Sequence, residues 1–163
     1  MKKYSKQDQR LMATWAADCA ERALPFFENA YPADDRPRKA IEACRAWVDT
    51  GVFRMADIRG ASLAAHAAAR DVKENGAAFF AAHAAGQAVA TAHVTQHAFG
   101  SAYYALRAVV AADPAHADVR AAEERNWQSL RLPGNLRQEI MSKITIRKRG
   151  NRIVVNLQRG EGF

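Results

Sequence analysis

Four of the five histidines, His66, His83, His93 and His97, fall in the alanine-rich centre of the chain. Imidazoles ligate metals and exchange protons near neutral pH, so they are the first residues to weigh for chemistry. His93 and His97 are four apart, which sets two rings on one helical face as a metal site needs. His83 and His97 share a face only if the helix between them is continuous; their angular offset is then about 40°. Val94, Thr95 and Gln96 separate His93 from His97, so the glutamate base of a zinc protease is missing. Further ligands would have to come from Asp18, Glu42 or His66 on neighbouring helices. The reading adopted is that these histidines hydrogen-bond polar groups inside a tightly packed bundle. No metal and no cofactor is assigned.

A second polar set lies near the N-terminus. Trp15, Asp18 and Arg22 recur at i, i+3 and i+7. Asp18 and Arg22 can pair along their helix, or bridge to Arg38, Glu42 or Arg45 on the next. Asp18, Arg22, Arg38, Glu42, His66, His93 and His97 are therefore expected to cluster across helix interfaces, as a structural or binding group. Burial demands such pairing, because an unpaired buried charge costs several kcal/mol. The sequence has no Ser-His-Asp ordering, phosphate-binding loop or GxGxxG, and no catalytic residue is assigned. Arg59 and His66 are similar in spacing to the Arg-x6-His pair of HEPN-type ribonucleases, which are all-helical. That family usually has a polar residue after the arginine, where this chain has Gly60. A metal-dependent or HEPN-like hydrolase or nuclease is accordingly the alternative to a binding function.

The elements that must position these residues are helical. Thirty-six of the 163 residues are alanine, the strongest helix former, with the densest run from Ala61 to Ala92. Leu11, Trp15, Cys19, Ala23 and Phe26 mark one face of a first helix over Ser5–Phe27, which Pro25 should kink or stop. A second starts near Pro37, buries Ile41, Cys44, Trp47 and Val48, and ends at Gly51. Further helices are expected over Met55–Lys73, Ala77–Val94, Ala98–Ala112 and Ala117–Leu130, with a short one reaching Lys143. Trp15, Trp47, Phe99, Tyr103, Leu106 and Val109 are the expected core, with Val119, Ala122 and Trp127 buried on the sixth helix. Cys19 and Cys44 read as buried free thiols. After Lys143 the period changes to two. Ile144 and Ile146, then Ile153, Val155 and Leu157, flank Gly150-Asn151, which predicts a β-hairpin pairing Arg149 with Arg152. The fold class is all-α: one bundle of six to seven helices (residues 1–143), followed by a short C-terminal hairpin and tail (144–163).

Charge separates the same two parts. Residues 1–124 hold 15 basic and 15 acidic residues, whereas 125–163 hold nine basic against Glu139 and Glu161. The whole net charge of +7 thus lies in the last quarter. That is not a body-wide nucleic-acid surface. It allows a local basic patch of Arg147, Lys148, Arg149 and Arg152 with weak nucleic-acid binding. An isolated hairpin is marginal in water, so its apolar face needs a cover, either the helical body or a second copy; docking on a second copy in a homodimer is the expectation. No stretch is apolar enough to cross a membrane, and the basic N-terminus leads into an amphipathic segment rather than a signal-peptide core. A cytoplasmic protein is expected.

The segments Trp15 to Arg22, Asp34 to Ala43, Ala64 to Arg70 and Ala90 to Val94 resemble a bacterial immunity-protein family, immunity-protein-five-like. The resemblance runs over residues 10–140, and Asp34-Asp35-Arg36-Pro37-Arg38-Lys39-Ala40-Ile41-Glu42-Ala43 is its most specific part. It implies an all-helical, non-catalytic protein that neutralises a cognate bacterial toxin by binding it. Inhibitors of cationic nucleases need an acidic face for steering. Residues 18–49 hold only seven acidic against five basic residues, so a strongly cationic nuclease is not the expected toxin.

Overall fold

The computed structural model describes residues 4–158 and is a helical bundle closed by a C-terminal hairpin. The helices are α1 (Lys6–Ala23), α2 (Pro25–Glu28), α3 (Arg36–Thr50), α4 (Met55–Asp71), α5 (Gly76–Ala90), α6 (His97–Ala112), α7 (Ala117–Arg131) and α8 (Gly134–Lys143). A 3-10 turn, Pro114–His116, precedes α7. Strands β1 (Ile144–Arg149) and β2 (Arg152–Leu157) follow.

Local chemistry sets the boundaries. Ser5 caps α1 by accepting from the Asp8 amide (3.0 Å), and the Asp8 carboxylate accepts from the Ser5 amide (3.3 Å). Pro25 has no amide hydrogen, so the expected first helix divides at Leu24 into α1 and α2. Gly51 takes the left-handed conformation (φ 69°) that ends α3. Asn75 caps α5, its side chain accepting from the Ala78 amide at 3.1 Å.

Helix α5 runs through the middle. Its buried positions are Ala78, Ala81, Ala82, Ala84, Ala85, Gly86, Ala88 and Val89, and it packs on α1, α3, α4 and α6. Only small side chains let four helices approach one axis this closely. The bulk of the core comes from the surrounding helices: Trp15, Leu24, Phe27, Phe99 and Leu106 are all at most 2% exposed. Trp47 is buried, and Tyr103 and Val109 are half-buried. Cys19 and Cys44 are buried free thiols, and burial pushes the Cys44 thiol up to about 12, so neither is a nucleophile at neutral pH.

The seventh helix turns a different face inward from the one its apolar residues suggest. Val119 is 54% exposed and Ala122 is exposed, while Ala117, Ala121, Glu124 and Gln128 are buried. Trp127 is half-buried. Polar pairing rather than hydropathy selects this face. Gln128 donates to the Ala102 carbonyl (3.1 Å), its own carbonyl accepts from Trp15 Nε1 (2.8 Å), and Glu124 meets Arg22. Leu11 likewise lies at the rim, 38% exposed, with Met12 in its place.

The hairpin has the predicted register: Ile144 opposite Leu157, Ile146 opposite Val155, Arg149 opposite Arg152. Its apolar face is covered by the chain's own helices, chiefly α6, with α7 and α8 beside it. Ile144 (0%) and Val155 (9%) are buried, and Ile146 and Leu157 pack partly buried beside them. The hairpin's burial therefore requires no second copy. Arg125 of α7 holds its root, donating to the Met141 (2.9 Å) and Ile144 (3.3 Å) carbonyls. Truncating Val155 to alanine should cost about 1.5 kcal/mol by lost apolar burial and lower the melting temperature by roughly 3–6 °C. Arg147→Ala, on the other face, should shift it by less than about 1 °C. Thermal melts followed by circular dichroism test the pair; equal shifts would refute the packing.

Candidate functional site

The site is built where α3 turns into α4, beside the break between α5 and α6. The connection 51–54 carries Val52 and Phe53 outward, 59% and 43% exposed. The first turns of α4 add Met55 and Leu63, 44% and 55% exposed. Four large apolar side chains thus surround one corner. Beside them a cleft of about 340 Å³ is lined by Ile58, Arg59, Ser62 and His66 of α4, and by Ala90, His93 and His97. A second hollow, lined by Lys6, Gln9, Arg10, Trp47 and Phe53, shares His93 with the first. The Phe53 and His93 rings stack at 6.4 Å and 22° as the wall between them.

A long-range cap fixes this wall. The Gln9 side chain donates to the Thr91 and Ala92 carbonyls, at 3.0 and 3.1 Å. Those carbonyls have lost their helical partners at the end of α5, and α1 supplies the donor. The residues from Thr91 to Gln96 turn there, so His93 and His97 do not stand on one continuous helix. His93 is exposed, whereas His97 hydrogen-bonds Gln87 Oε1 through Nδ1 (2.8 Å).

His66 and His83 meet directly, Nδ1 to Nδ1 at 2.7 Å. One Nδ1 must carry the proton and the other offer its lone pair. Gly86 makes the approach feasible, since a Cβ there would lie 2.8 Å from the His66 ring. Ser62 Oγ, donating to the Gly86 carbonyl (3.0 Å), holds α4 against α5 at this point. Phe79 and Tyr104 enclose His83, with centroids at 4.5 and 5.0 Å. Burial, then His66 and Arg70, pushes His83 down to about 4; burial also lowers His66 and His97.

This pair gives stability a pH dependence. Unfolded histidine takes up its proton near pH 6.5, well before native His83 does. The unfolded state therefore binds more protons between those values, so stability is full above about pH 6.5 and falls as pH drops toward 4. The loss should be about 1–2 kcal/mol, allowing for the pair's partial exposure. Urea midpoints at pH 7.5 and 5 measure it, and His83→Gln should reduce the difference. An unchanged slope in that variant would remove His83 as the cause.

The expected polar residues do not form one cluster but divide between separate interhelical clamps and the cleft. Asp18 accepts from Arg45 Nη2 (3.0 Å), which also reaches Glu21, tying α1 to α3. Arg22 lies 2.6 Å from Glu124 on α7, with its guanidinium 4.5 Å over the Trp127 ring. Arg38 pairs bidentately with Glu28 of α2 (2.7 Å for Nη2 to Oε2). Glu42 is exposed on α3 without an ion pair among the described residues. His66, His93 and His97 line the α4 cleft, apart from these clamps, and Arg59 lines it too. The described residues hold no group of three or more His, Cys, Asp or Glu side chains placed to share a metal.

The cleft's charge is set by residues outside the expected polar set. Lys6, Arg10, Arg54 and Arg59 are exposed at this corner, and none forms an ion pair among the described residues. Asp57 is the one carboxylate lining the adjoining hollow with Arg54. The apolar corner and Arg54 went unselected in sequence. The available signal was Val52-Phe53, two adjacent apolar residues just past a helix-ending glycine, where solvated turns are usually polar.

The bundle thus ties its helices together with charged clamps and leaves an apolar corner open beside the cleft. The model of the Imm-5 like putative immunity protein family matches residues 2–135, and the chain belongs to that family. No curated protein and no solved structure matches it significantly. Among the described residues, no helix is long and apolar enough to cross a membrane.

Proposed function

We propose that the chain neutralises a cognate toxin in the cytoplasm by direct, non-catalytic binding, and that the toxin docks on the α3–α4 corner. The observation that carries this is the grouping of Val52, Phe53, Met55 and Leu63, exposed beside a cleft and flanked by four cations without an ion-pair partner among the described residues. Protein interfaces concentrate their energy in apolar anchors and charged groups at such a centre, and a protein that binds nothing rarely exposes one. The cations require a toxin surface that is acidic around an apolar patch. Such a surface fits the immunity role of the family and does not suit a strongly cationic nuclease.

Co-expression with candidate toxin domains drawn from the genes flanking this one tests this reading. Growth should be rescued, and the two proteins should co-elute as one complex with full-length chain. Growth arrest with no complex at micromolar concentrations would reject it. A hydrolase at Arg59 and His66 is the second reading, favoured by their sharing one cleft. Against it, His66 Nδ1 is engaged by His83 and the Nε2 edge lies against Gly86.

A further inference from the structure

We propose that the outer face of the β1–β2 hairpin binds the phosphate backbone of nucleic acid, independently of the toxin-docking corner. The register gives this face its composition. Arg149 stands directly opposite Arg152, and Arg147 lies two residues back on the same side, opposite Val154. Lys148, opposite Ile153, projects from the other face near the end of the strand. All four are exposed, and none forms an ion pair among the described residues. Arg22, Arg36, Arg38, Arg45 and Arg120, by contrast, each hold a carboxylate, and the hairpin differs from the unpaired arginines of the docking corner in setting two of its own directly opposite each other.

Like charges directly opposite on paired strands destabilise the pair. Gly150, at φ 59°, already supplies the left-handed residue the turn needs, so the turn does not depend on flanking arginines. The arrangement becomes favourable once an anion lies across both guanidiniums. The inner face is anchored through Ile144 and Val155, so the arginines project from a fixed ribbon rather than a loose tail.

The surroundings select the class of anion. The other outer-face residues are Thr145, Asn156 and the half-buried Val154. Among the described residues no exposed aromatic or large aliphatic side chain stands with the arginines, so this face offers neither the anchor of a protein hot spot nor the wedge that inserts into lipid. Forked donors at a two-residue spacing, about 6.8 Å along a strand, instead suit successive oxyanions on an extended polyanion. Binding of this kind is independent of base sequence, and its strength comes from counterion release.

The test uses the full chain and a fluorescein-labelled 20-bp DNA duplex of arbitrary sequence, followed by anisotropy from 25 to 200 mM salt. Three phosphate contacts predict a slope of about −3 in log K against log salt. The variant R147E/R149E/R152E should bind at least tenfold more weakly at 50 mM salt. R10E/R54E/R59E carries the same change in net charge at the docking corner and should bind within twofold of the unaltered chain. If R147E/R149E/R152E melts early, R147Q/R149Q/R152Q replaces it, and its melting temperature should equal or exceed that of the parent. Equal losses in the two charge-reversed variants would assign the binding to net charge and overturn the proposal. So would no binding at 25 mM salt, or capture by phosphatidylserine vesicles without binding to the duplex.

Discussion

Replacing Arg22 with methionine should cost about 2–3 kcal/mol, more than any other single exposed-surface substitution in this bundle. The reason is the asymmetry of its ion pair. Glu124 presents a carboxylate only 4% exposed, whereas the Arg22 side chain is 46% exposed. Water reaches the cation and not the anion. With Arg22 gone, the carboxylate keeps only the Gln128 amide, 3.3 Å away, which it shares with the Ala102 carbonyl. Breaking a buried pair from one side costs about 3–5 kcal/mol, and the lower figure here allows for the exposed cation. The melting temperature should fall by roughly 4–12 °C. Adding Glu124→Gln removes the stranded charge while keeping the shape, and R22M/E124Q should recover most of the loss. If the double variant is no more stable than R22M, the loss comes from the cation stacked on Trp127 and not from the carboxylate.

The second large effect is on binding. Phe53→Asp combined with Met55→Asp should weaken the toxin complex at least 100-fold, about 2.8 kcal/mol, a loss ordinary for two central anchors. Each side chain is a little over half covered, so the melting temperature should fall by roughly 4–8 °C with the chain still folded. Arg54→Glu with Arg59→Glu should act on the association rate, with an effect that shrinks as salt is raised. Titration calorimetry and stopped-flow mixing separate the two. Unaltered affinity in F53D/M55D, with the fold intact, would move the interface away from this corner.

How far the sequence revealed this arrangement depended on which force held each element. The hairpin register was readable because a period of two leaves one solution once Ile144, Ile146, Val155 and Leu157 must share a face. The break at Pro25 and the end at Gly51 were readable because each follows from backbone geometry alone. On α7 the same logic failed: Glu124 and Gln128 are buried by hydrogen bonds to residues far along the chain, and hydropathy carries no trace of such partners. The charged residues of α1 were readable as clamps, yet Asp18 chose Arg45 and Arg22 chose Glu124 over each other, since a bridge between helices also fixes their packing. The cleft was the least legible feature. Met55 to His66 come from one helix, but His93 and His97 reach it through a turn held by Gln9, a contact across more than eighty residues.

The alanine lining of α5 has a calorimetric consequence. Unfolding raises heat capacity in proportion to the apolar area it exposes, about 12–15 cal/mol/K per residue in ordinary domains. A central helix whose buried positions are alanine, glycine and one valine exposes little such area when it melts. It also surrenders almost no side-chain rotamer freedom on folding. The heat-capacity increment of this chain should lie below the ordinary range, which flattens the curve of stability against temperature. The fold then loses free energy slowly on both sides of its optimum, and its tolerance of cold as well as warmth follows from the smallness of its innermost side chains.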